Sequence, residues 1–333
     1  MKHLIIIAIL VVASTLLVYT GLTGIGLLPE QASAQAVSID KLFNIHIWFI
    51  SALFSLIFVI LMYSLIVFRR KKGESGDGAY ISGNGKLEIF WTMIPLFLVI
   101  FLAYLGAQSL GVVRQVDPSA MVVRVTAGQW FWKFQYQDSG ITSTTLFLPV
   151  GRQVDLQMTS LDVIHSFWVP EFRVKQDIVP GQTNELRITP IEIGAYRVRC
   201  AELCGTRHAY MEAPVYVVSQ QDFDAWVGQQ AATVLVDPVL RGQQLVQQNG
   251  CLNCHSVSGA AGIGPTWSHL YESEVTLSDG SEVPADTDYL RTSIISPNLQ
   301  VLQGFYPNVM PNFADVLDQT EVEDIIAYIQ SLK

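Results

Sequence analysis

Two short segments concentrate the residue types that hold metals and pass electrons. The first runs Cys200-Ala-Glu-Leu-Cys204-Gly-Thr-Arg-His208-Ala-Tyr-Met211, placing two thiols, an imidazole and a thioether within twelve residues. Soft sulfur ligands beside imidazole suit copper, zinc or iron–sulfur chemistry. A tetrahedral zinc site could use Cys200, Cys204, His208 and a distant histidine, but it has no use for Met211. A mononuclear blue-copper site takes a single cysteine, so the second thiol needs a reason. Buried structural cysteines are the plain alternative. Two coppers bridged by both thiolates would use every group, provided a second histidine is at hand. His165, in Leu161-Asp-Val-Ile-His165-Ser-Phe-Trp-Val-Pro170, lies in the same β-type region, whereas His3 and His46 lie in or beside long apolar runs.

The second segment is Asn249-Gly250-Cys251-Leu252-Asn253-Cys254-His255. Cys-x-x-Cys-His is the attachment pattern of c-type haem: both thiols add to the vinyl groups and His255 becomes the proximal iron ligand. A redox dithiol is the alternative, but a preceding helix and a surrounding α-rich region favour haem. The sixth ligand has two candidates, His269 and Met310. Met310 is the only methionine after Met211 and sits in Asn308-Val-Met-Pro-Asn312. A Met/His pair raises the haem potential relative to two histidines.

These segments must be carried by something, and composition says part of it is membrane. Of 333 residues, 50% are hydrophobic and 15% charged, with mean hydropathy +0.35; ordinary globular chains carry about 25% charged residues. Leu4–Leu28, Phe43–Phe68 and Ile89–Val113 contain no Asp, Glu, Lys or Arg. Each can cross a hydrocarbon core of about 30 Å as a helix. Arg69-Arg70-Lys71-Lys72 and a Gly/Ser-rich loop separate the second and third, so this loop is expected on the cytoplasmic side and the chain after Arg114 on the other. The first run, with Lys2 before it and Ala32-Ser33-Ala34 or Ala34-Gln35-Ala36 after it, reads as a signal peptide. Its length also allows an uncleaved anchor.

From about Val116 the pattern shortens to β-type runs: Val122–Tyr136, Thr144–Met158, Asn184–Thr189 and Ala195–Arg199. Such spacing predicts a sandwich or Greek-key barrel. A terminal helix and linker are expected over Gln220–Thr233. Pro238–Gln248 and Glu321–Leu332 then read as helices, the latter with an apolar stripe of Val322, Ile325, Ile326 and Ile329. Residues 231–333 hold 12 acidic and 3 basic side chains, which accounts for the whole formal charge of −9. Nucleic acid would need a basic face and is excluded as a partner.

The Cys-x-Glu-x-Cys-Gly-x-x-His-x-x-Met loop, with its upstream Asp-x-x-His, closely resembles subunit II of the haem–copper cytochrome c oxidases. The likeness extends through Glu88-x-x-Trp91-Thr92-x-x-Pro95, Gln129-Trp130-Phe131-Trp132 and Asp177-x-Val-Pro-Gly181, covering roughly residues 37–220. It implies a cupredoxin fold with a dinuclear CuA centre. Cys200 and Cys204 would bridge the coppers, His165 and His208 would each take one, Met211 would be a weak ligand, and Glu202 would ligate through its backbone carbonyl. The Glu202 side chain would reach a magnesium ion at the boundary with the catalytic subunit. Bridging thiolates share one electron over two metals, so bond lengths change little when it leaves. Trp130 matches the family's exposed electron-input tryptophan, while its aromatic neighbours read as packed strand residues. Glu88 matches a carboxylate at the mouth of a proton pathway, although it could equally be a solvated helix flank.

The last hundred residues resemble class I cytochrome c, where a Met-Pro loop before the final helix supplies the axial ligand. Gly264-Pro265 resembles the segment whose proline carbonyl holds the proximal imidazole, and Arg291 is a candidate partner for a haem propionate. The expected molecule is a multidomain membrane protein. Residues 1–36 form a signal peptide or anchor, 37–115 a transmembrane helical hairpin, and 116–220 an all-β cupredoxin-like Greek-key CuA domain. Residues 221–236 form a linker and 237–333 an all-α class I cytochrome c domain. The resemblance implies the electron-input subunit of a caa-type, proton-translocating oxidase in a bacterial inner membrane, with its metal domains on the extracytoplasmic side. Subunits I and III and a donor cytochrome or upstream respiratory complex would be its partners. A CuA-containing nitric oxide reductase could share both metal modules, and a membrane-tethered copper-delivery protein would leave the haem unexplained. A quinol oxidase subunit would lack the copper ligands.

Overall fold

The computed structural model describes residues 1–70, 72–73, 78, 80, 82–232 and 237–332. Two compact units result, one of residues 1–31 and 35–115, the other of 32–34 and 116–333.

The first unit is helical: α1 (Lys2–Gly24), α2 (Ala34–Val67) and α3 (Gly85–Val113). All three are long and apolar enough to cross a membrane, and their large apolar side chains are mostly exposed, as lipid-facing residues would be. The α2 helix begins nine residues before the apolar run, at Ala34, so the expected boundary at 36/37 falls inside it. Asp40 is tolerated there because Gln31 donates to its carboxylate at 2.7 Å. Asn84 caps α3, accepting from the Leu87 amide at 3.2 Å. Arg69, Arg70 and Lys72 are exposed beyond the end of α2; Lys71 lies outside the described residues.

The second unit begins with a β-sandwich built of β1 (Met121–Gly128), β2 (Phe131–Tyr136), β3 (Thr142–Ser143), β4 (Leu146–Pro149), β5 (Val154–Ser160), β6 (His165–Trp168), β7 (Lys175–Ile178), β8 (Asn184–Ile188), β9 (Gly194–Cys200) and β10 (Glu212–Val218). One sheet has the order β3-β2-β1-β5-β8 and the other β4-β10-β9-β6-β7. The β1–β5 and β4–β10 pairs are parallel among otherwise antiparallel neighbours, which gives the cupredoxin-like arrangement. Side chains alternate across each strand. Val123 and Val125 of β1, Trp132 and Phe134 of β2, and Leu156 and Met158 of β5 therefore fill the space between the sheets.

The next helix, α4 (Gln220–Ala232), is not linker. Trp226 stacks on Phe147 at 4.5 Å and meets Tyr136 at 5.0 Å, and Phe223 is buried. These aromatics fasten the helix to the sandwich, so the expected linker does not begin at residue 221; residues 233–236 lie outside the described residues.

The haem-motif region contains α5 (Pro238–Gln248), a short hairpin of β11 (Glu274–Thr276) and β12 (Glu282–Pro284), α6 (Thr287–Ile295) and α7 (Gln319–Gln330). Asp237 caps α5, and Asp318 with Glu321 forms a reciprocal capping box on α7. The first and last of these helices cross closely at Gly242. A Cβ there would stand 1.9 Å from the carbonyl oxygen of Asp324. Arg241 clamps the same crossing, its Nε and Nη2 each donating to Asp324 at 2.6 Å.

Candidate metal centre and haem cleft

The copper-type ligands converge where β6 begins and β9 ends. Phe167 pairs with Cys200 across the two strands, and the loop that follows returns so that the Cys200 amide donates to the Met211 carbonyl at 3.0 Å. Cys200 and Cys204 bring their sulfurs to 3.7 Å, far beyond the 2.03–2.05 Å of a disulfide. His165 Nδ1 lies 3.8 Å from Cys200 Sγ, and His208 Nδ1 lies 3.5 Å from Cys204 Sγ. Met211 Sδ lies 3.7 Å from Cys204 Sγ, and the Glu202 carbonyl 3.2 Å from Cys200 Sγ. The ligand atoms of His165, Cys200 and Cys204 fall within 4.8 Å of one another, all buried. Two sulfurs at this separation can each bond both of two metals at about 2.3 Å, with one imidazole at each end. The donor set fits a thiolate-bridged copper pair.

Electrostatics distinguish the two thiols. Burial opposes ionisation of both thiols. At Cys200 the hydrogen bonds from His165, the neighbouring backbone and Cys204 outweigh it and lower the pKa. At Cys204 burial and the charge of Cys200 push it up. Burial would lower His165, but Asp162 and Cys200 raise it to about 8. The Asp162 carboxylate receives His165 Nε2 at 2.7 Å, fixing the ring so that Nδ1 faces the sulfurs. Asp162 was visible in sequence only as part of the Asp-x-x-His pattern; the three-residue spacing was the signal for this role.

Trp130 is half-buried. Its indole donates to the Cys204 carbonyl at 3.2 Å, and Gln129 Nε2 donates to the same oxygen at 2.7 Å. Gly205 permits this approach. Its φ is +119°, and a Cβ there would stand 3.0 Å from the indole. Glu88 is exposed in the first turn of α3 and accepts the Asn84 amide at 3.1 Å, a helix-capping contact.

Cys251 and Cys254 flank a single 3-10 turn after α5, and His255 follows. Its Nδ1 donates to the Pro265 carbonyl at 2.8 Å, and its ring stacks on Trp267 at 4.8 Å. Burial holds its pKa down, keeping the imidazole neutral and able to ligate through Nε2. Gly264 lies against the ring, where a Cβ would be 2.7 Å away. Cys251, Cys254, His255 and Met310 all line one open cleft. Its walls are apolar, with Leu290, Ile294, Val301 and Phe305 among them. Cleft, thiols, imidazole and thioether fit a covalently attached haem. His269 does not line it: that residue is exposed, with φ 57°, and its amide donates to the Leu332 carbonyl. Arg291 is occupied by Glu323 and Asp288 and also lies outside the cleft lining.

Fold and sites together define a membrane-anchored redox subunit with a cupredoxin-like metal domain and a haem-binding helical domain. Three family descriptions match successive parts of the chain: the cytochrome c oxidase subunit II transmembrane domain over residues 20–109, its periplasmic domain over 140–219, and cytochrome c over 239–333. Cytochrome c oxidase subunit 2 of Alkalihalophilus pseudofirmus is 33% identical over 318 residues, spanning 92% of this chain and 90% of that protein. The subunit 2 of Thermostichus vulcanus is 36% identical over 275 residues, 66% of this chain and 84% of its own. A crystal structure of the periplasmic domain of subunit II of cytochrome oxidase from Bradyrhizobium japonicum is 29% identical, with TM-score 0.34, and covers 36% of this chain and 100% of that one. The chain belongs to the cytochrome c oxidase subunit II family and carries a cytochrome c domain after the copper-type domain.

Proposed function

We propose that this chain is the electron-input subunit of a proton-translocating cytochrome c oxidase in a bacterial inner membrane, with both metal domains on the extracytoplasmic side. Haem c and the copper pair, when bound, would supply one-electron chemistry, relaying electrons from a donor towards haem a of subunit I for reduction of oxygen to water. The carrying observation is that the thiolate pair, its two imidazoles and the haem-attachment turn lie in one compact unit.

The chain's own residues then have distinct duties. Cys200, Cys204, His165 and His208 would hold the metals, with Met211 and the Glu202 carbonyl as further donors. Asp162 orients His165. Met310 and His255 would hold the haem iron, with Pro265 fixing the imidazole. Trp130 couples to the copper loop through the Cys204 carbonyl. The Glu202 side chain is assigned to a magnesium ion at the contact with subunit I, and Glu88 to the mouth of a proton pathway in that subunit. Subunit III and a donor cytochrome or respiratory complex complete the assembly.

Cys200→Ser tests this function, because a hydroxyl cannot replace a bridging thiolate. The purified complex should lose its mixed-valence copper signal and its oxygen consumption, while haem c stays attached and reducible by donor. Normal turnover with normal copper content would remove Cys200 from the site and overturn the proposal.

A further inference from the structure

Alternation along β2 turns Trp132, Phe134 and Tyr136 into the sandwich and leaves Phe131 and Lys133 on its outer face. An outer-face phenylalanine should be wet. Instead Phe131 is only 7% exposed and belongs to the apolar cluster of the haem-motif helices. It also lines the haem cleft, together with Gln129. The turn that covers it is the haem-attachment turn. Gly250 (φ +66°) sits so close that a Cβ would stand 2.5 Å from the Phe131 ring.

Polar contacts surround this wedge. Lys133 Nζ donates to Asn249 Oδ1 at 2.8 Å, and Gln248 Nε2 to the Thr142 carbonyl at 3.1 Å. Arg207, between the copper-loop residues Cys204 and His208, donates to the Asn253 carbonyl at 2.6 Å. Asn253, between the two haem-attachment cysteines, donates through Nδ2 to the Trp130 carbonyl at 3.1 Å. Trp130 in turn donates to the Cys204 carbonyl. Two hydrogen bonds therefore connect the haem-attachment turn to the copper loop through one tryptophan. Burial at this contact lowers the pKa of Lys133.

We propose that the haem domain is fixed on the copper domain as one unit, with Arg207 and Asn253 as positioning residues and Phe131 as a wall of the haem cleft. This rests on the reading that haem c delivers electrons to the copper pair. In each transfer one electron leaves the ferrous iron, which becomes ferric, and the copper pair is reduced by one. The contacts set the separation that electron crosses. Asn253 also occupies the Trp130 carbonyl beside the copper loop, and on this route an external donor docks on the haem domain.

The test uses the intact oxidase with Arg207→Ala/Asn253→Ala, and with Arg207→Lys as the conservative control. Hydrogen–deuterium exchange of amides 129–133 and 249–254 reports the dock without turnover; flash photolysis in glycerol reports haem-to-copper transfer. Unchanged haem and copper spectra would establish that both centres are intact. Wild type should show protected amides and a transfer rate independent of viscosity. The double variant should exchange about 30-fold faster there, as expected for loss of two net hydrogen bonds, and its transfer should become slower and viscosity-dependent. Arg207→Lys should restore most of both. Exchange and transfer unaltered in the double variant would overturn the dock. If the amides behave as expected but haem c never reduces copper in wild type, the dock stands and the proposed electron route fails.

Discussion

The carboxylate of Asp162 bridges two functional groups: its Oδ1 lies 2.7 Å from His165 Nε2, and its Oδ2 accepts the Gln129 amide at 2.7 Å. One side chain thus orients a metal-ligating imidazole and anchors the turn that presents Trp130. A metal-bound histidine is commonly held in this way, and the carboxylate both fixes the tautomer and raises ligand basicity.

Asp162→Asn should weaken copper binding by about 10–100-fold, the range for loss of such a partner. Chelator competition followed by the copper absorbance would measure it. The haem spectrum should be unaffected, because Asp162 does not line the haem cleft. Copper retention equal to wild type would show that the strands alone orient His165.

The candidate ligands were legible in the sequence because both segments dense in such residues are local. Four copper-type donors fall within one loop, and the haem thiols and proximal histidine fall within five residues. The same does not hold for Phe131, Lys133, Arg207 and Asn253. Alternation reports which face of a strand points into its own sandwich, but not whether a second domain covers the other face. A terminal helix is expected over Gln220–Thr233, but the docking of α4 on the sandwich was not legible, for a related reason. Its glutamine-rich sequence resembles a linker, and only the positions of Tyr136 and Phe147 reveal where Phe223 and Trp226 close.

Met310→Leu should leave haem covalently attached while lowering its potential and opening the iron to external ligands. His269→Ala should do neither, since His269 is exposed outside the cleft. Redox titration and carbon monoxide binding to reduced haem c would decide between them. Carbon monoxide binding in the His269 variant alone would reverse the axial assignment.

Gly242→Ala should destabilise the haem domain, because the new Cβ meets the Asp324 backbone at 1.9 Å and neither helix can yield without disturbing the Arg241 clamp. Overpacking of this kind costs about 1–3 kcal/mol. Thermal unfolding followed at the haem Soret band should shift downward, while the copper absorbance of the folded protein stays normal. An unshifted transition would mean the helices can separate freely at this point.

The charge distribution separates the two electron-transfer steps by their response to salt. The net charge of −9 belongs to residues 231–333, where only Arg241, Arg291 and Lys333 are basic. Two of these arginines are already paired, Arg241 with Asp324 and Arg291 with Glu323 and Asp288. The haem domain therefore presents an acidic field to an incoming donor. Opposite charge speeds diffusional encounter, and the gain is screened once the Debye length falls to about 10 Å near 0.1 M salt. A basic donor should reduce haem c faster at low ionic strength and slow steeply across that range. On the proposed route, transfer from haem c to copper would run between covalently joined domains whose effective concentration does not depend on salt, so it should change far less. Stopped-flow reduction by donor and flash photolysis of the internal step, run over one salt series, would read both. A donor step indifferent to salt would leave the acidic surface with a role in solubility alone.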